Sequence, residues 1–194
     1  MRYEKPLSRS TVRIGLVGLA TLAYAVLRYV VLGPVPAEDI PLFVVNKAVS
    51  LAAVTLFALS WMLSTAAPDA RLYGRCGTWL VFAHCLLSLL LFSVRAFETF
   101  LDPSGRLRLN VQFAMLVGIF GVLALAWQHL HPSDRGVKLA RGLVLGTAVA
   151  HVAFLGSRGW FTPDEWHGGL PPMTLLAASL GLLALTRPLW RASK

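Results

Sequence analysis

GRCGTWLVFAHCLLSLLLFSVR, residues 74–95, holds no Asp, Glu, Lys or Arg between Gly77 and Val94. Its polar groups there are hydroxyls, an indole, a thiol and the imidazole of His84. Wound as a helix, such a run is about 27 Å long, close to the thickness of a bilayer's hydrocarbon core. In lipid a chain must satisfy its own backbone hydrogen bonds, so this segment reads as a transmembrane helix.

Blocks of the same kind lie on both sides of it. They cover residues 14–32 and 42–63 before it, and 111–127, 139–155 and 171–186 after it, with 77–94 as the third. The stretches between them carry turn formers: Pro34, Pro36, Glu38 and Asp39; Pro68 and Asp69; Asp102, Pro103, Ser104 and Gly105; His131, Pro132, Ser133 and Asp134; then Pro171 and Pro172. The expected fold class is all-α, one polytopic membrane bundle of six helices spanning residues 1–194. Gly15, Gly18, Gly118, Gly121, Gly142, Gly146 and Gly181 are the expected points of close helix contact.

Composition agrees. The chain is 56% hydrophobic and 14% charged, against about 25% charged residues in a soluble domain. The net charge of +9 would point to nucleic acid in a soluble protein. Here the basic residues sit in short loops, where they set orientation and meet headgroups, so no nucleic-acid partner is expected and the lipid bilayer is. Two cysteines, Cys76 and Cys85, lie about 13 Å apart on one helix, which excludes a disulfide between them. No nucleotide fingerprint or zinc spacing occurs. The N-terminus, basic and then apolar, has the look of a signal peptide, but the apolar block continues to Leu32 and reads as a retained first helix.

Six spans place both termini on one side. That side carries twelve Lys and Arg residues and the other six. By the positive-inside rule both termini are expected in the cytoplasm. The Ala/Leu/Arg-rich chain further suggests a bacterial inner membrane.

Ionisable groups within spans are costly and point to function. Arg28, Lys47, His84 and His151 are of this kind, with Arg95 at a span end. His84 and His151 stand on the third and fifth spans, which run in the same direction, and two imidazoles so placed suit the axial positions of a haem iron. Counted from the expected span starts, their depths differ by about 7 Å before tilt. Arg28, Lys47 and Arg95 lie towards the outer side, where a propionate would need a cation. Each residue also has a plainer reading: the histidines as hydrogen-bonding groups between helices, Arg28 and Lys47 as snorkelling side chains. His129 and His131 read as interfacial anchors. His167, among Trp160, Phe161 and Trp166, belongs to an aromatic belt or to the roof of a cofactor or quinone. Met115, Met173 and Cys85 read as packing residues.

The segments 74–95 and RGVKLARGLVLGTAVAHVAF, residues 135–154, resemble the ferric reductase-like transmembrane domain. That superfamily includes the membrane parts of ferric reductases and NADPH oxidases and the haem subunit of the periplasmic methionine sulfoxide reductase system. Arg75 and Gly77 match the Arg and Gly that often lead into the third span there, and His151 matches a haem-ligating histidine of the fifth. The resemblance implies one haem b, ligated by His84 and His151, in a protein that carries electrons across or within the bilayer as the membrane component of an oxidoreductase. It further implies a separate redox partner protein or a quinone as donor. Two-haem members have a second histidine on each span about thirteen or fourteen residues away. Here Phe97 and Glu98 stand at that distance after His84 and Lys138 before His151, so a second pair is missing. The flavin and NADPH domain of the larger oxidases is absent too. The alternative from another class is a cofactor-free transporter or an assembly subunit of a membrane complex.

Overall fold

The computed structural model describes residues 9–36, 40–63, 67–94, 100–130 and 133–192. They form six long helices: α1 Arg9–Val31, α2 Ile40–Met62, α3 Pro68–Val94, α4 Leu109–Leu130, α5 Asp134–Gly156 and α6 Met173–Ala192. Each contains a segment long and apolar enough to cross a membrane. The last five residues of α1, Leu27–Val31, and the first five of α2, Ile40–Val44, are wound as wider π-turns. Among the described residues there is no β-strand, only one isolated bridge between Leu101 and Leu107.

The bundle is wrapped around α2. More than half of its span is buried (56%), against 11% to 28% for the others. Its sequence explains this. Ala48, Ala52, Ala53, Ala58 and Ser60 keep it slim, so neighbouring helices approach closely, and Leu51, Leu56 and Phe57 fill what remains. One apolar core joins Ala25, Val44, Ala48, Leu51, Val54, Met173 and Ala177 from α1, α2 and α6. A second joins Phe57, Ala58, Ala124, Leu125, Val144, Leu145 and Ala184 from α2, α4, α5 and α6. The outward side chains are large and apolar: Leu16 and Leu19 on α1, Trp79, Leu86 and Leu89 on α3, Ile119, Phe120 and Leu123 on α4. A soluble protein would not present such a surface to water; a bilayer covers it.

Side-chain bonds show which helix ends lie together. Ser10 near the start of α1 donates to Asp69 at the start of α3. At the other end the Tyr24 hydroxyl donates to the Pro171 carbonyl at 2.6 Å, and Arg28 donates to the Leu170 carbonyl. The first end, which also carries Arg71, Arg75, Arg135 and Lys138, is called the basic end below. The second is closed by residues 157–172 and is called the capped end. Trp166 Nε1 ties that cap to the Gly159 carbonyl at 2.8 Å, and Trp160 Nε1 ties it to Thr174 at 2.9 Å.

Helix lengths depart from the apolar blocks. α3 begins at Pro68, nine residues before the expected start at residue 77. Pro68 and Asp69 do not break the chain but start the helix. Proline lacks only an N–H that would be unpaired there, and Asp69 suits the positive end of the helix dipole. Arg71 and Arg75 then lie exposed while Ala70, Tyr73, Gly74 and Gly77 are buried. α5 likewise begins at Asp134, capped by the Ser133 hydroxyl, which accepts from the Gly136 N–H at 3.2 Å. Of the expected contact glycines, Gly118, Gly121, Gly142 and Gly181 do meet a neighbouring helix, whereas Gly15, Gly18 and Gly146 have open space where a Cβ would be.

The turn between α3 and α4 is built on Asp102. Its carboxylate accepts from the Ser104 hydroxyl at 2.6 Å and from the N–H groups of Ser104 and Arg106 at 2.8 and 3.0 Å. The Ser104 hydroxyl, followed by these amides, holds the Asp102 carboxyl below the usual carboxylate range. Gly105 supplies the positive φ of 77° that closes the turn.

Candidate functional site

His84 on α3 and His151 on α5 face one another. Their ring centroids are 6.3 Å apart and the ring planes stand at 88°. The longer helices account for the shared level. His84 lies sixteen residues after Pro68 and His151 seventeen after Asp134, which is about 24 and 26 Å along parallel axes. The depth difference expected from the apolar blocks came from placing both starts too late, the third span's by nine residues and the fifth's by five.

Both rings are oriented by their Nδ1 atoms. His151 Nδ1 lies 2.8 Å from the Ala114 carbonyl on α4. A carbonyl only accepts, so Nδ1 carries the hydrogen and Nε2 keeps its lone pair. His84 Nδ1 lies 2.6 Å from Asn46 Oδ1 on α2, and Asn46 in turn donates from Nδ2 to the Ser88 hydroxyl at 3.1 Å. In this orientation the Asn46 oxygen accepts from His84 Nδ1; the Ser88 hydroxyl, which can donate or accept, suits either orientation of the amide. Imidazoles that bind metals show this pattern, with the outer ring nitrogen hydrogen-bonded and the other left free. Asn46 is 6% exposed. A buried amide on a slim central helix has little reason to be there except to serve a polar neighbour.

α4 packs closely on His151, and α3 stands apart from α4 and α5. α3 lies along α2 and makes at most marginal contact with α4 and α5, so the two rings bridge the space between α3 and α5. Gly118 on α4 has no side chain to press on His151; a Cβ there would sit 3.2 Å from Nδ1. Gly77 on α3 packs on Phe57 of α2, 3.2 Å from its ring where a Cβ would be.

Lys47, next to Asn46, lies within electrostatic reach of both imidazoles. Its ammonium group stands 5.3 Å from the centre of the Phe43 ring. Among the described residues it meets no carboxylate. Arg28 does not snorkel. It is 5% exposed and clamps the cap through the Leu170 carbonyl, with Nε left without a partner. Arg95 and His131 lie outside the described residues, as do Glu38 and Asp39. His167 sits in the cap against Tyr29, ring centroids 6.5 Å apart. Met173 is buried in the first core, whereas Met115 is exposed on α4.

Of the residues singled out in the sequence, the fold therefore brings together His84, His151 and Lys47. It sends Arg28 to the cap. Asn46 and the Ala114 carbonyl are additions. Asn46 could have been suspected, as a carboxamide within an apolar block; Ala114 could not, because its contribution is backbone. Among the described residues no three His, Cys, Asp or Glu side chains gather as a metal cluster, and the site has two imidazoles only. A scan against protein-family models and a search of curated proteins each return no match for this chain.

The fit of the pair to a haem iron can be tested on distances. Two metal–nitrogen bonds of about 2 Å, with each ring nitrogen about 1.2 Å from its centroid, separate trans imidazoles by about 6.4 Å. The observed 6.3 Å matches that length and is equally the length of an edge-to-face ring contact. Among the described residues the donor set at the pair is two imidazoles, each hydrogen-bonded at Nδ1, a set that a b-type haem uses.

Proposed function

We propose that this chain is a b-type haem membrane protein that carries electrons across or within the bilayer. The observation that carries this reading is the facing pair His84 and His151, at a bis-imidazole spacing with both Nδ1 atoms occupied. His84 and His151 would be the axial ligands, and a haem held by two histidines supplies reversible one-electron transfer without an open position for oxygen. Asn46 and the Ala114 carbonyl orient the ligands and raise their basicity. Lys47 would offset the charge of a propionate or of a bound quinone. The large apolar side chains around the bundle keep water from the pair.

The ferric reductase-like resemblance supports the same reading and gives it a context. The chain would be the membrane part of an oxidoreductase, passing electrons between a separate redox protein or a quinone and an acceptor. The excess of basic residues supports a cytoplasmic basic end with both termini on that side, and the Ala/Leu/Arg-rich composition supports a bacterial inner membrane. A second reading rests on the same hydrogen bonds. Each imidazole already has a protein partner, as in a cofactor-free transporter or assembly subunit where two histidines merely join helices in an edge-to-face contact, for which centroid distances run to about 7 Å.

Visible spectra decide between them. Protein purified in mild detergent after haem-supplemented expression is expected to show, on dithionite reduction, a sharp α-band near about 560 nm. His84→Ala and His151→Ala should each abolish it. A colourless wild type, or a band unaffected by both substitutions, sinks the haem reading and leaves the second one.

A further inference from the structure

Arg141 on α5 lies ten residues, about 15 Å, from His151 towards the basic end, beyond the reach of a group held between the imidazoles. It is 4% exposed, and neither its Nε nor its Nη1 has a hydrogen-bond partner. The guanidinium stands at a three-helix junction. A Cβ on Gly74 of α3 would be 3.8 Å from its Nε and 3.7 Å from Nη2, and 3.1 Å from the Ser60 hydroxyl of α2. That hydroxyl is already committed to the Ala70 carbonyl at 2.6 Å. No carboxylate among the described residues interacts with Arg141.

Other orphans gather at the same end. Tyr73, which precedes Gly74, is 2% exposed, and its hydroxyl approaches Arg13 without reaching hydrogen-bond geometry. Trp61 Nε1 is buried without a partner, while the Trp61 ring lies 3.1 Å from where Gly142, the residue after Arg141, would carry a Cβ. Among the described residues without partners, Gln128 Oε1 can only accept, the Tyr73 hydroxyl can donate or accept, and the remaining atoms can only donate. The set is therefore rich in donors and short of acceptors. A buried guanidinium with open donors is costly unless an anion meets it, and its fork suits phosphate oxygens.

We infer that the α2–α3–α5 junction at the basic end binds a phosphate group, with Arg141 as its principal partner. Arg141 lies seven residues, about 10 Å, inside the start of α5, and Gly74 six residues, about 9 Å, inside that of α3. That depth below the helix ends suits the phosphate of a phospholipid headgroup. Arg71, Arg75, Arg135 and Lys138 are exposed around it and would draw either an anionic lipid or a soluble phosphate compound to the same donors. Neither role involves the histidine pair, so the inference stands or falls apart from haem binding.

Native mass spectrometry of the full chain in mild detergent provides the test, with added phosphatidylglycerol as the probe. Wild type is expected to keep one phosphatidylglycerol through activation that strips the rest. Arg141→Gln should lower that retained fraction at least tenfold, and Arg158→Gln, at the capped end, should leave it unchanged. If Arg141→Gln does not fold, the thermal midpoint of delipidated wild type answers instead. A rise with phosphatidylglycerol but not inorganic phosphate identifies a lipid site. A rise with inorganic phosphate, at matched chloride, identifies a site for soluble phosphate. Neither a retained adduct nor a rise with either probe, or an adduct that survives Arg141→Gln, overturns the inference.

Discussion

At the scale of single residues the informative event is the placing of polar groups where they are expensive. Asn46, His84, Lys47 and His151 come from three helices and meet in an apolar bundle. Each ring is held by a hydrogen bond through Nδ1, and in the proposed function the Nε2 atoms take the haem. Asn46→Leu removes the acceptor for His84 with little change in volume. Loss of such an outer hydrogen bond typically weakens metal binding about 10–100-fold. The expected outcome is a weakened hold on haem and a more positive midpoint potential, since a less basic imidazole stabilises the ferric state less. Redox titration of the α-band checks it. A potential unchanged from wild type would show that Asn46 does not tune the ligand.

Among the helices, α4 and α5 form the pair on which His151 depends. Gly121 on α4 faces Thr147 on α5, whose hydroxyl would be 2.8 Å from a Cβ at that position. Gly118, one turn earlier, faces His151 itself. Gly121→Val should push the two helices apart, destabilise the protein by about 1–3 kcal/mol as overpacking does, and loosen the His151–Ala114 bond. Gly146→Val is the control, because open space surrounds that position. Thermal unfolding in detergent should show a lowered midpoint for the first variant and not the second. Equal effects would mean that the α4–α5 contact is not the source.

The whole molecule is a bundle arranged about a slim central helix, with an exposed cationic rim at one end and a tied-down cap at the other. Six crossings bring the N- and C-terminal ends to the same face, and the proposed orientation puts that face inside. Reporter fusions at the two termini should therefore respond alike, as cytoplasmic. Labelling of a single cysteine placed at Ser104 should occur from the opposite side, in a background lacking Cys76 and Cys85. Termini that report from different sides would require a different number of crossings.

The sequence by itself determined the number of helices, their membrane character and three of the groups at the site, His84, His151 and Lys47, because those follow from local properties: block length, charge content and the cost of an ionisable group in lipid. It did not show where the helices start. Apolar length measures contact with lipid, whereas α3 and α5 continue beyond it as helices with one polar face, and the level of His84 and His151 depends on that. It also could not show that Asn46 serves His84, that a backbone carbonyl holds His151, that Arg28 is spent on the cap or that Arg141 is buried. Those are contacts between residues distant in the chain, and only the packing of α1, α3, α5 and α6 on α2, and of α4 on α5, decides which side chains meet.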